Sequence, residues 1–440
     1  MARAAVILAA GQGTRMKSLK AKVMHTVAGL PILGHVIAAA RGAGVERIVV
    51  VVAPGAVEVE GFALRHGAET VVQDKQLGTG HAAGCARSVL GDFDGTVIVT
   101  YGDHPLVTSH TFEASFAAQA LVGMAIVAFH SKSTAYGRVI TREGGLLDRI
   151  VEYRDANDGE RKIELCNAGI LAADARKFFR WAGELMNSNS QKEYYLTDIP
   201  SIADSEGINC AVVTVDEAET MGVNSRAELA TAEAAMQARL RQRALAAGVG
   251  MLAPETVFLS HDTVLEADVQ IGPYVVFAPG VVVRSGAEIK AFSHLEGATV
   301  ERGALVGPYA RLRPGATIGE DAHIGNFVEV KNANVEKGAK ANHLTYLGDA
   351  RVGAGTITCN YDGFDKHHTD IGAGAFIGSN AALVAPVKIA DGVYVGAGSV
   401  ITKEMSKDSL AVTRAEQKEI SGWAEKFRSR KRAEKAAKKK

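Results

Sequence analysis

Apolar and polar positions follow two different patterns along the chain, and the pattern changes near residue 225. The first part contains short β-branched runs at Ala4–Ala10, Ile48–Ala53, Thr96–Tyr101 and Met124–Phe129. Helical patterns separate these runs, as at Ile32–Arg41 and Gly80–Leu90. Alternating strands and helices predict an α/β domain with a parallel or mixed sheet and helices on both faces. In such sheets, ligands bind at the carboxyl ends of the strands.

Between the two patterns lies a stretch that is typical of one long helix. Residues Ser225–Ala247 are rich in Ala, Glu, Arg, Leu and Gln, contain neither Gly nor Pro, and are followed by Gly248. A glycine at this position favours the end of a helix. We therefore predict a first domain over residues 1–226, a helical linker over 227–247 and a second domain over 248–440.

The second part has a period of six residues. Apolar residues recur at this period, with a slip of one residue after Leu295 and a loop after Val330. They are Leu265, Ile271, Phe277, Val283, Ile289, Leu295, Val300, Val306, Leu312, Ile318, Ile324, Val330, Ile371, Ile377, Leu383, Ile389, Val395 and Ile401. No α-helix or ordinary strand has this period. Hexapeptide repeats are instead typical of a parallel β-helix, whose inward aliphatic side chains fill the axis.

Composition narrows the class of protein. At 440 residues, more than one domain is expected. Lys+Arg and Asp+Glu are equal at 49 each, which gives no reason to expect nucleic acid or an anionic membrane as partner. The four cysteines include no CxxC pair, and neither a signal peptide nor a membrane span is apparent. We expect a soluble cytoplasmic protein whose basic residues 426–440 form a solvated tail.

The first apolar strand leads directly into a glycine-containing loop, Gly11-Gln12-Gly13-Thr14-Arg15, with Lys22 a few residues further on. Glycine lets the backbone approach a phosphate, and successive N–H groups can hold the anion. Arginine can add bidentate hydrogen bonds. A bare GxG segment is equally typical of a tight turn, but the two cations favour a phosphate site. The loop is neither a GxGxxG nor a Walker motif.

Two other segments contain residues that could bind a metal ion or a base. Tyr101-Gly102-Asp103 closes the third predicted strand. A carboxylate there suits Mg²⁺, a hard ion that prefers oxygen ligands and bridges phosphates, although an isolated Asp is also a common helix cap. The polar, glycine-rich loop Gln73–Gly80 is suited to recognising the edge of a base.

The six-residue repeats also carry cations and a histidine. Arg313, Lys331 and His343 fall on nearby turns of the repeat. A histidine with a pKa near neutrality can take the proton of an amine as the amine attacks a thioester. A lone histidine is more often structural, but Arg313, Lys331 and Tyr346 suit a sugar phosphate and favour the catalytic interpretation. We interpret Cys359 as a core residue, since direct transfer from a thioester needs no enzyme nucleophile.

Taken together, these motifs resemble the bifunctional N-acetylglucosamine-1-phosphate uridyltransferase / glucosamine-1-phosphate N-acetyltransferase family from about Ala4 to Trp423. The resemblance implies a Rossmann-like nucleotidyltransferase domain, a long linking helix and a left-handed parallel β-helix. The first domain would transfer UMP from UTP to N-acetylglucosamine 1-phosphate with release of pyrophosphate. The β-helix would transfer acetyl from acetyl-CoA to glucosamine 1-phosphate. A homotrimer and a role in building bacterial cell-envelope polymers are expected on the same ground.

The resemblance assigns roles to residues of the first domain. Arg15 and Lys22 would be the catalytic cations on the phosphates, and Asp103 and Asn224 would bind Mg²⁺. The nucleotide and the sugar would contact Leu8, Ala9, Ala10, Gly11, Lys22, Gln73, Gly78, Thr79, Tyr101, Gly102, Asp103, Gly137, Glu152, Asn167 and Asn224. The family usually has proline where this chain has Ala21, but the charge of Lys22 is retained.

In the β-helix, the resemblance makes His343 the general base. Glucosamine phosphate would be held by Arg313, Lys331, Tyr346 and Lys366. Acetyl-CoA would lie in a cleft between subunits, against Ala354, Asn360, Tyr361, Ser379, Ala397 and Arg414. Between His343 and Thr356 the family normally has one more hexapeptide, which includes a sugar-binding asparagine. Its absence would rotate the later coils by about a third of a turn unless the loop after Asn360 absorbs the change.

Three alternatives remain open at the level of sequence. The missing hexapeptide motivates a uridyltransferase whose β-helix is only a trimerisation scaffold. A regulatory, non-catalytic subunit is a second alternative, against which the retention of Arg15, Lys22, Asp103 and Asn224 speaks. The third is a related enzyme that acts on glucose or mannose phosphate.

Overall fold

A computed structural model of the chain describes residues 1–11, 13–134, 136–189, 191–343, 346–348, 357–359, 367, 369–371, 375–378, 381–413 and 419–437. The chain forms two compact units. The first comprises Met1–Ala246 and Phe258–Asp262, and the second comprises Ala247–Val257 and Thr263–Lys440.

The first unit is built on a nine-stranded mixed sheet and a two-stranded hairpin. Its strands are β1 (Ala2–Leu8), β2 (Thr26–Val27), β3 (Leu30–Pro31), β4 (Arg47–Val52), β5 (Glu69–Val72), β6 (Gly95–Tyr101), β7 (Gly123–His130), β8 (Arg138–Thr141), β9 (Leu147–Val151), β10 (Leu165–Asp174) and β11 (Asn209–Thr214). Seven of them lie in the order β11-β7-β10-β6-β1-β4-β5. β8 pairs with β10, β9 pairs with β8, and β2 pairs with β3. β1 is parallel to β4 and β6, whereas β10 is antiparallel to β6 and β7.

Helices accompany the strands along the first unit. They are α1 (Ile32–Gly42), α2 (Val57–Arg65), α3 (Thr79–Cys85), α4 (Arg87–Leu90), α5 (Ser109–Val122), α6 (Ala175–Glu184), α7 (Ile199–Ser205) and α8 (Arg226–Ala246). The helix predicted over Gly80–Leu90 is divided at Ala86 into α3 and α4.

The continuous apolar run of β1 is explained by burial on both faces of the sheet. Ala5 and Ile7 belong to one hydrophobic core, and Ala4 and Val6 belong to the other. All four side chains are fully buried. A strand covered on both sides has no polar face to alternate with, so its sequence is apolar throughout.

The predicted linking helix is present as α8. Its Ala232 and Met236 pack in a small core with Met16 and Val27 of the first unit. Gln237 binds the backbone of Leu259 twice, donating from Nε2 to the carbonyl at 2.6 Å and accepting from the N–H at 2.8 Å. The helix is therefore an integral part of the first unit, and the chain returns to that unit after α8.

The second unit is a parallel β-helix of short strands. These are β12 (Gly250–Met251), β13 (Val264–Leu265), β14 (Gln270–Ile271), β15 (Val276–Phe277), β16 (Val282–Val283), β17 (Glu288–Ile289), β18 (His294–Leu295), β19 (Thr299–Val300), β20 (Leu305–Val306), β21 (Arg311–Leu312), β22 (Thr317–Ile318), β23 (His323–Asn326), β24 (Glu329–Lys331), β25 (Asn334–Val335), β26 (Lys340–His343), β27 (Tyr346–Gly348), β28 (Ile357–Cys359), β29 (Thr369–Ile371), β30 (Phe376–Ile377), β31 (Ala382–Val384), β32 (Val387–Ile389), β33 (Tyr394–Val395), β34 (Val400–Ile401) and β35 (Leu410–Ala411). A last helix, α9, covers Trp423–Ala437.

Each strand from β12 to β24 pairs in parallel with the strand one coil later. The three ladders are β12-β14-β17-β20-β23-β26, β13-β16-β19-β22-β25 and β15-β18-β21-β24-β27. Val264 pairs with Val282, eighteen positions on, but Val282 pairs with Thr299, seventeen positions on. The slip of one residue in the hexapeptide pattern is therefore one shortened coil.

The predicted inward positions form the axis of this β-helix. From Ile271 to Val330 every residue predicted to point inward is at most 3% exposed, and so are Ile377, Leu383, Ile389, Val395 and Ile401. Leu265, at the first coil, is half-buried. The predicted α/β class, with hexapeptide coils of the left-handed β-helix type, is confirmed. None of the helices within the described ranges has the length and apolar character needed to cross a bilayer.

Four aromatic side chains form a stack on the outside of the β-helix. Tyr274, Phe292, Tyr309 and Phe327 follow one another with ring centroids 5.0, 4.9 and 5.2 Å apart. All four have left-handed backbone angles, with φ of 57°, 60°, 57° and 56°. That conformation is unfavourable for side chains with a Cβ. Stacking between adjacent coils offsets the strain, since such pairs contribute about 0.5–1.5 kcal/mol each.

Replacing Phe292 tests this balance. Phe292→Ala removes two stacking contacts but keeps the strained backbone, and we expect it to lower the free energy of unfolding by about 1–3 kcal/mol. Phe292→Gly removes the same ring and relieves the strain, so it should be more stable than the alanine variant by about 1 kcal/mol. Scanning calorimetry of the three proteins measures both differences. A glycine variant less stable than the alanine variant would contradict this account.

Candidate functional site

A cavity of about 510 Å³ opens at the carboxyl ends of β1 and β6. It is lined by most of the residues predicted for the nucleotide: Leu8, Ala9, Ala10, Gly11, Arg15, Lys22, Gln73, Gly78, Thr79, Tyr101, Asp103 and Asn224. Gly102 lies at the same strand ends, and its N–H donates to the Leu8 carbonyl at 2.9 Å. The structure therefore brings segments that are far apart in sequence to one edge of the sheet, where parallel sheets bind ligands.

The glycine-containing loop passes close to Lys22. Gly13 has a φ of +62°, and a Cβ there would lie 2.8 Å from the Cβ of Lys22. Glycine is thus required both for the backbone angle and for the approach. Met16 is buried and fixes the short turn Thr14–Met16, while Arg15 of that turn is exposed at the cavity. Gln12 lies outside the described residues.

Lys22 connects the two residues predicted to bind metal. Its ammonium donates a hydrogen bond to the carboxylate of Asp103 and another, of 3.0 Å, to Oδ1 of Asn224. The Lys22 and Asp103 side chains are only 13% and 15% exposed. The N–H of Val223 also donates to the Asp103 carbonyl at 2.9 Å, which holds the two loops together. Removing one partner of a buried ion pair of this kind strongly destabilises the folded protein, because the other charge is left buried and unpaired.

The oxygens at this position fit a hard cation such as Mg²⁺. Oδ1 of Asp103 is buried and has no hydrogen-bond partner among the described residues, and Oδ1 of Asn224 faces the same ammonium. Carboxylate and amide oxygens are suitable ligands for Mg²⁺, which usually takes few protein ligands and completes its shell with water and phosphate. No cluster of three or more His, Cys, Asp or Glu side chains that could hold a metal occurs in the described part of the chain.

His104 belongs to this site but was not predicted from the sequence. Its ring lies edge-on to Tyr101 at 5.4 Å, and its Nε2 is 3.7 Å from Oδ1 of Asp103. Burial lowers the pKa of His104, the Asp103 carboxylate opposes this, and the Lys22 ammonium adds to it. The ring is therefore neutral near pH 7. Its position directly after Asp103 in the sequence was the one available signal.

The loop predicted to recognise a base is connected to the glycine-containing loop. Nε2 of Gln76 donates to the carbonyl of Ala10 at 2.6 Å. Gly78 has a φ of +112°, and a Cβ there would lie 2.6 Å from the carbonyl oxygen of Tyr194. Gln73 is 3% exposed and faces the cavity. The segments predicted to recognise the base and to bind the phosphates thus share one wall.

A second cavity of about 170 Å³ adjoins the first through Tyr101 and His104, which line both. It contains the predicted sugar-binding residues Gly137, Glu152 and Asn167. Burial, then the carboxylates of Glu152 and Asp103, raise the pKa of the Tyr101 phenol, so this hydroxyl remains a hydrogen-bond donor at neutral pH.

Gly169 lets the wall of the second cavity close around Tyr101. β10 carries an irregularity between Asn167 and Leu171, and Oδ1 of Asn167 accepts from the N–H of Gly169 at 3.1 Å. Gly169 has a φ of +71°, and a Cβ there would lie 2.0 Å from the Tyr101 ring. Sequence reasoning missed Gly169, although its place in the Asn-Ala-Gly segment was a usable signal.

In the β-helix, several predicted residues lie on neighbouring coils. Arg313 donates to Glu329 at 2.9 Å, and Arg311 lies 3.7 Å from the other oxygen of that carboxylate. Glu329 pairs in register with Tyr346, and Lys331 lies in the same strand as Glu329. Arg311 and Glu329 were not predicted, since only the stacking of coils brings them beside Arg313.

His343 ends β26 and pairs in register with Asn326 of the preceding coil. The structure therefore places the backbones of His343 and Tyr346 beside the coil of Lys331. Ala397 is exposed, next to Gly378 of the preceding coil. Cys359 is also exposed, so its interpretation as a core residue was wrong. The remaining predicted residues of this site, as well as the shortened segment before Thr356, lie outside the described residues: Ala354, Asn360, Tyr361, Lys366, Ser379 and Arg414.

Comparison with known proteins adds two family models and close full-length relatives. Residues 5–167 match the MobA-like NTP transferase domain, and residues 297–332 and 368–403 match the bacterial transferase hexapeptide (six repeats). The chain is 52% identical to the bifunctional protein GlmU of Paramagnetospirillum magneticum, over 99% of this chain and 98% of that one. It is 51% identical to GlmU of Sphingopyxis alaskensis, over 99% of each chain.

GlmU of Caulobacter vibrioides is similar to the same extent, with 52% identity over 99% of this chain and 97% of that one. Identity of this order over nearly the whole of both chains is shared by relatives from several bacterial genera. The family resemblance drawn from the motifs is thereby confirmed: the chain belongs to the family of bifunctional GlmU proteins.

Proposed function

We propose that the first unit transfers UMP from UTP to N-acetylglucosamine 1-phosphate, and that the second transfers the acetyl group of acetyl-CoA to glucosamine 1-phosphate. The observation that carries the proposal is the Lys22 ammonium held between Asp103 and Asn224 in a cavity lined by the phosphate and base loops. Acting in sequence, the two reactions produce UDP-N-acetylglucosamine for cell-envelope polymers. Because UTP and acetyl-CoA are cytoplasmic substrates, we expect the enzyme in the cytoplasm.

The first reaction is an in-line displacement at phosphorus. An oxygen of the sugar 1-phosphate attacks the α-phosphorus of UTP, and the bond to the pyrophosphate oxygen breaks. Arg15 and Lys22 neutralise charge on the phosphates, and the loop from Leu8 to Gly11 positions them. Mg²⁺, when bound by Asp103 and Asn224, would supply further charge neutralisation at the same phosphates. No covalent enzyme intermediate is needed.

In this scheme, the Lys22 ammonium has one set of partners in the free protein and another when nucleotide and metal are bound. Its ammonium contacts the same two oxygens that would bind Mg²⁺. A divalent ion held by these oxygens would strongly repel an ammonium that contacts the same oxygens. Lys22 would therefore turn from Asp103 and Asn224 to the triphosphate when nucleotide and metal bind. Its charge keeps the carboxylate paired in the free protein.

The sugar would occupy the second cavity. Glu152 is close to Gly137, where a Cβ would lie 3.4 Å from its Oε1, and it accepts from the Thr197 hydroxyl at 3.4 Å. Burial raises the pKa of Glu152, the Thr197 hydrogen bond opposes this, and Asp155 and Asp198 raise it further. Hydroxyl groups of a sugar would donate to this carboxylate and restore the hydrogen bonds that burial has removed.

The second reaction needs a base and a phosphate site. His343 would take the proton as the amine of glucosamine 1-phosphate attacks the thioester carbonyl, and CoA would leave as the thiol. Arg313 and Lys331 would hold the phosphate, with Glu329 fixing the guanidinium of Arg313. The cleft for acetyl-CoA would be completed by a second copy of the chain in a homotrimer that packs along the β-helix faces.

Removal of the Glu152 charge should stabilise the protein in a pH-dependent way. Because the folded-state pKa is raised, folding favours the protonated form, so the burial penalty is absent below the unfolded pKa and complete above the folded pKa. We expect Glu152→Gln to raise the unfolding temperature of the first unit at pH 7.5 by about 2–4 °C, the response to about 1 kcal/mol. Near pH 4 the two proteins should unfold at about the same temperature.

Calorimetry at both pH values measures this difference. The matched control is Glu143→Gln, since Glu143 is exposed; it should leave the unfolding temperature unchanged at either pH. A stabilisation of the Glu152 variant that is equal at pH 4 and pH 7.5 would contradict the electrostatic cause.

Two single variants test whether the first unit carries out uridyl transfer and the second carries out acetyl transfer. Asp103→Asn should lower pyrophosphate release from UTP and N-acetylglucosamine 1-phosphate by at least about a hundredfold, because metal binding is lost, and should leave CoA release unchanged. His343→Ala should do the reverse. Both activities are measured on the full chain with and without EDTA, which should abolish only pyrophosphate release.

Absence of CoA release from the unaltered chain would reject the acetyltransferase and leave the β-helix as a scaffold. Absence of pyrophosphate release with UTP would reject the uridyltransferase. Faster release with glucose or mannose 1-phosphate than with N-acetylglucosamine 1-phosphate would reject the sugar assignment.

A further inference from the structure

The amide of Gln73 is held by two hydrogen-bond acceptors at once. Its Nε2 donates to the carbonyl oxygen of Gly78 at 3.2 Å and lies 3.0 Å from Nδ1 of His81. Gln73 is 3% exposed and lines the nucleotide cavity. None of the residue assignments drawn from the sequence includes His81.

These two contacts fix which end of the amide faces the cavity. A carbonyl oxygen can only accept, so the nitrogen rather than the oxygen of Gln73 must face Gly78. The same nitrogen can only donate, so Nδ1 of His81 is the acceptor and the ring carries its hydrogen on Nε2. Both amide hydrogens are then used inside the protein. Oε1 of Gln73 makes no hydrogen bond to any described residue.

His81 is itself held firmly. It lies in the first turn of α3, directly after Gly80 and three residues after the positive-φ residue Gly78. The N–H of Gly80 donates to the Tyr194 carbonyl at 2.8 Å, and a Cβ on Gly80 would lie 2.4 Å from Leu185. The turn therefore cannot shift without losing close packing, so the imidazole stays where it can accept from Gln73.

An amide that presents only its oxygen selects a base with a donor at the matching position. Uracil carries a hydrogen on N3, whereas N3 of cytosine is an acceptor. If the amide could rotate freely, its nitrogen would serve cytosine as well as its oxygen serves uracil. A site whose buried polar group is left unpaired by the wrong ligand discriminates strongly against it.

We propose that His81 is a positioning residue that sets the base specificity of the nucleotide site by fixing the Gln73 amide with its oxygen toward the base. The inference rests on the proposed uridyl transfer and adds to it the group that decides between pyrimidines. His81 acts through Gln73 and has no part in the displacement at phosphorus.

Two substitutions at His81 separate this role from packing. His81→Leu keeps bulk but removes the acceptor. His81→Asn places an amide oxygen close to the position of Nδ1 and keeps an acceptor. Pyrophosphate release by the full chain is measured with UTP and with CTP, and the ratio of the two kcat/KM values is compared.

We expect His81→Leu to lower the UTP-to-CTP ratio by about tenfold or more, mainly through a higher KM for UTP. His81→Asn should restore the ratio to within about threefold of the unaltered protein. Gln73→Met, which removes the oxygen without touching His81, should lower the ratio as His81→Leu does. Unfolding temperatures establish that each variant is folded.

The outcomes separate the two proposals. No pyrophosphate release by the unaltered chain with UTP would reject the proposed uridyl transfer. Normal release with UTP together with an unchanged ratio in folded His81→Leu would overturn the role of His81 alone. Equal loss of the ratio in the leucine and asparagine variants would also overturn it, because the acceptor would then be irrelevant.

Discussion

The ammonium of Lys22, hydrogen-bonded to Asp103 and Asn224, is the contact on which the proposed nucleotide site depends. It joins segments that lie 81 and 202 positions apart in the chain. The three segments are a turn after the glycine-containing loop, the end of β6 and the entry to α8. Oδ1 of Asp103 already has no hydrogen-bond partner among the described residues, so without this cation the buried carboxylate would also lose its ion pair, which is strongly unfavourable. Charge neutralisation thus organises the cavity before any ligand arrives.

In the β-helix, the stacking of short repeats fixes the relative positions of outward polar residues. The inward positions from Ile271 to Val330 are buried, so the outward residues of successive coils lie side by side at the spacing of paired strands. That spacing places Arg311 and Arg313 around the carboxylate of Glu329, in the same strand as Lys331. The outer aromatic stack adds cohesion between the same coils.

Local patterns predict much of this molecule. The predicted strands, α1, α8 and the inward positions of the hexapeptides all follow from short-range periodicity, and the one-residue slip matches a coil of seventeen residues. Contacts across the sheet are not encoded in any such pattern. The packing of α8 into the first unit, the place of His104 beside Asp103 and the fixed amide of Gln73 arise only when distant segments meet. Family resemblance placed Asp103 and Asn224 together, but not the ammonium between them.

The most direct test of the central claim is the binding of Mn²⁺ to the full chain without nucleotide, followed by electron paramagnetic resonance of the free ion. If the Lys22 ammonium and the metal compete for Asp103 and Asn224, Lys22→Met should bind Mn²⁺ about tenfold or more tightly than the unaltered protein. Asp103→Asn should abolish binding at this position in both backgrounds. A Lys22→Met variant that binds Mn²⁺ no more tightly than the unaltered chain would contradict the account.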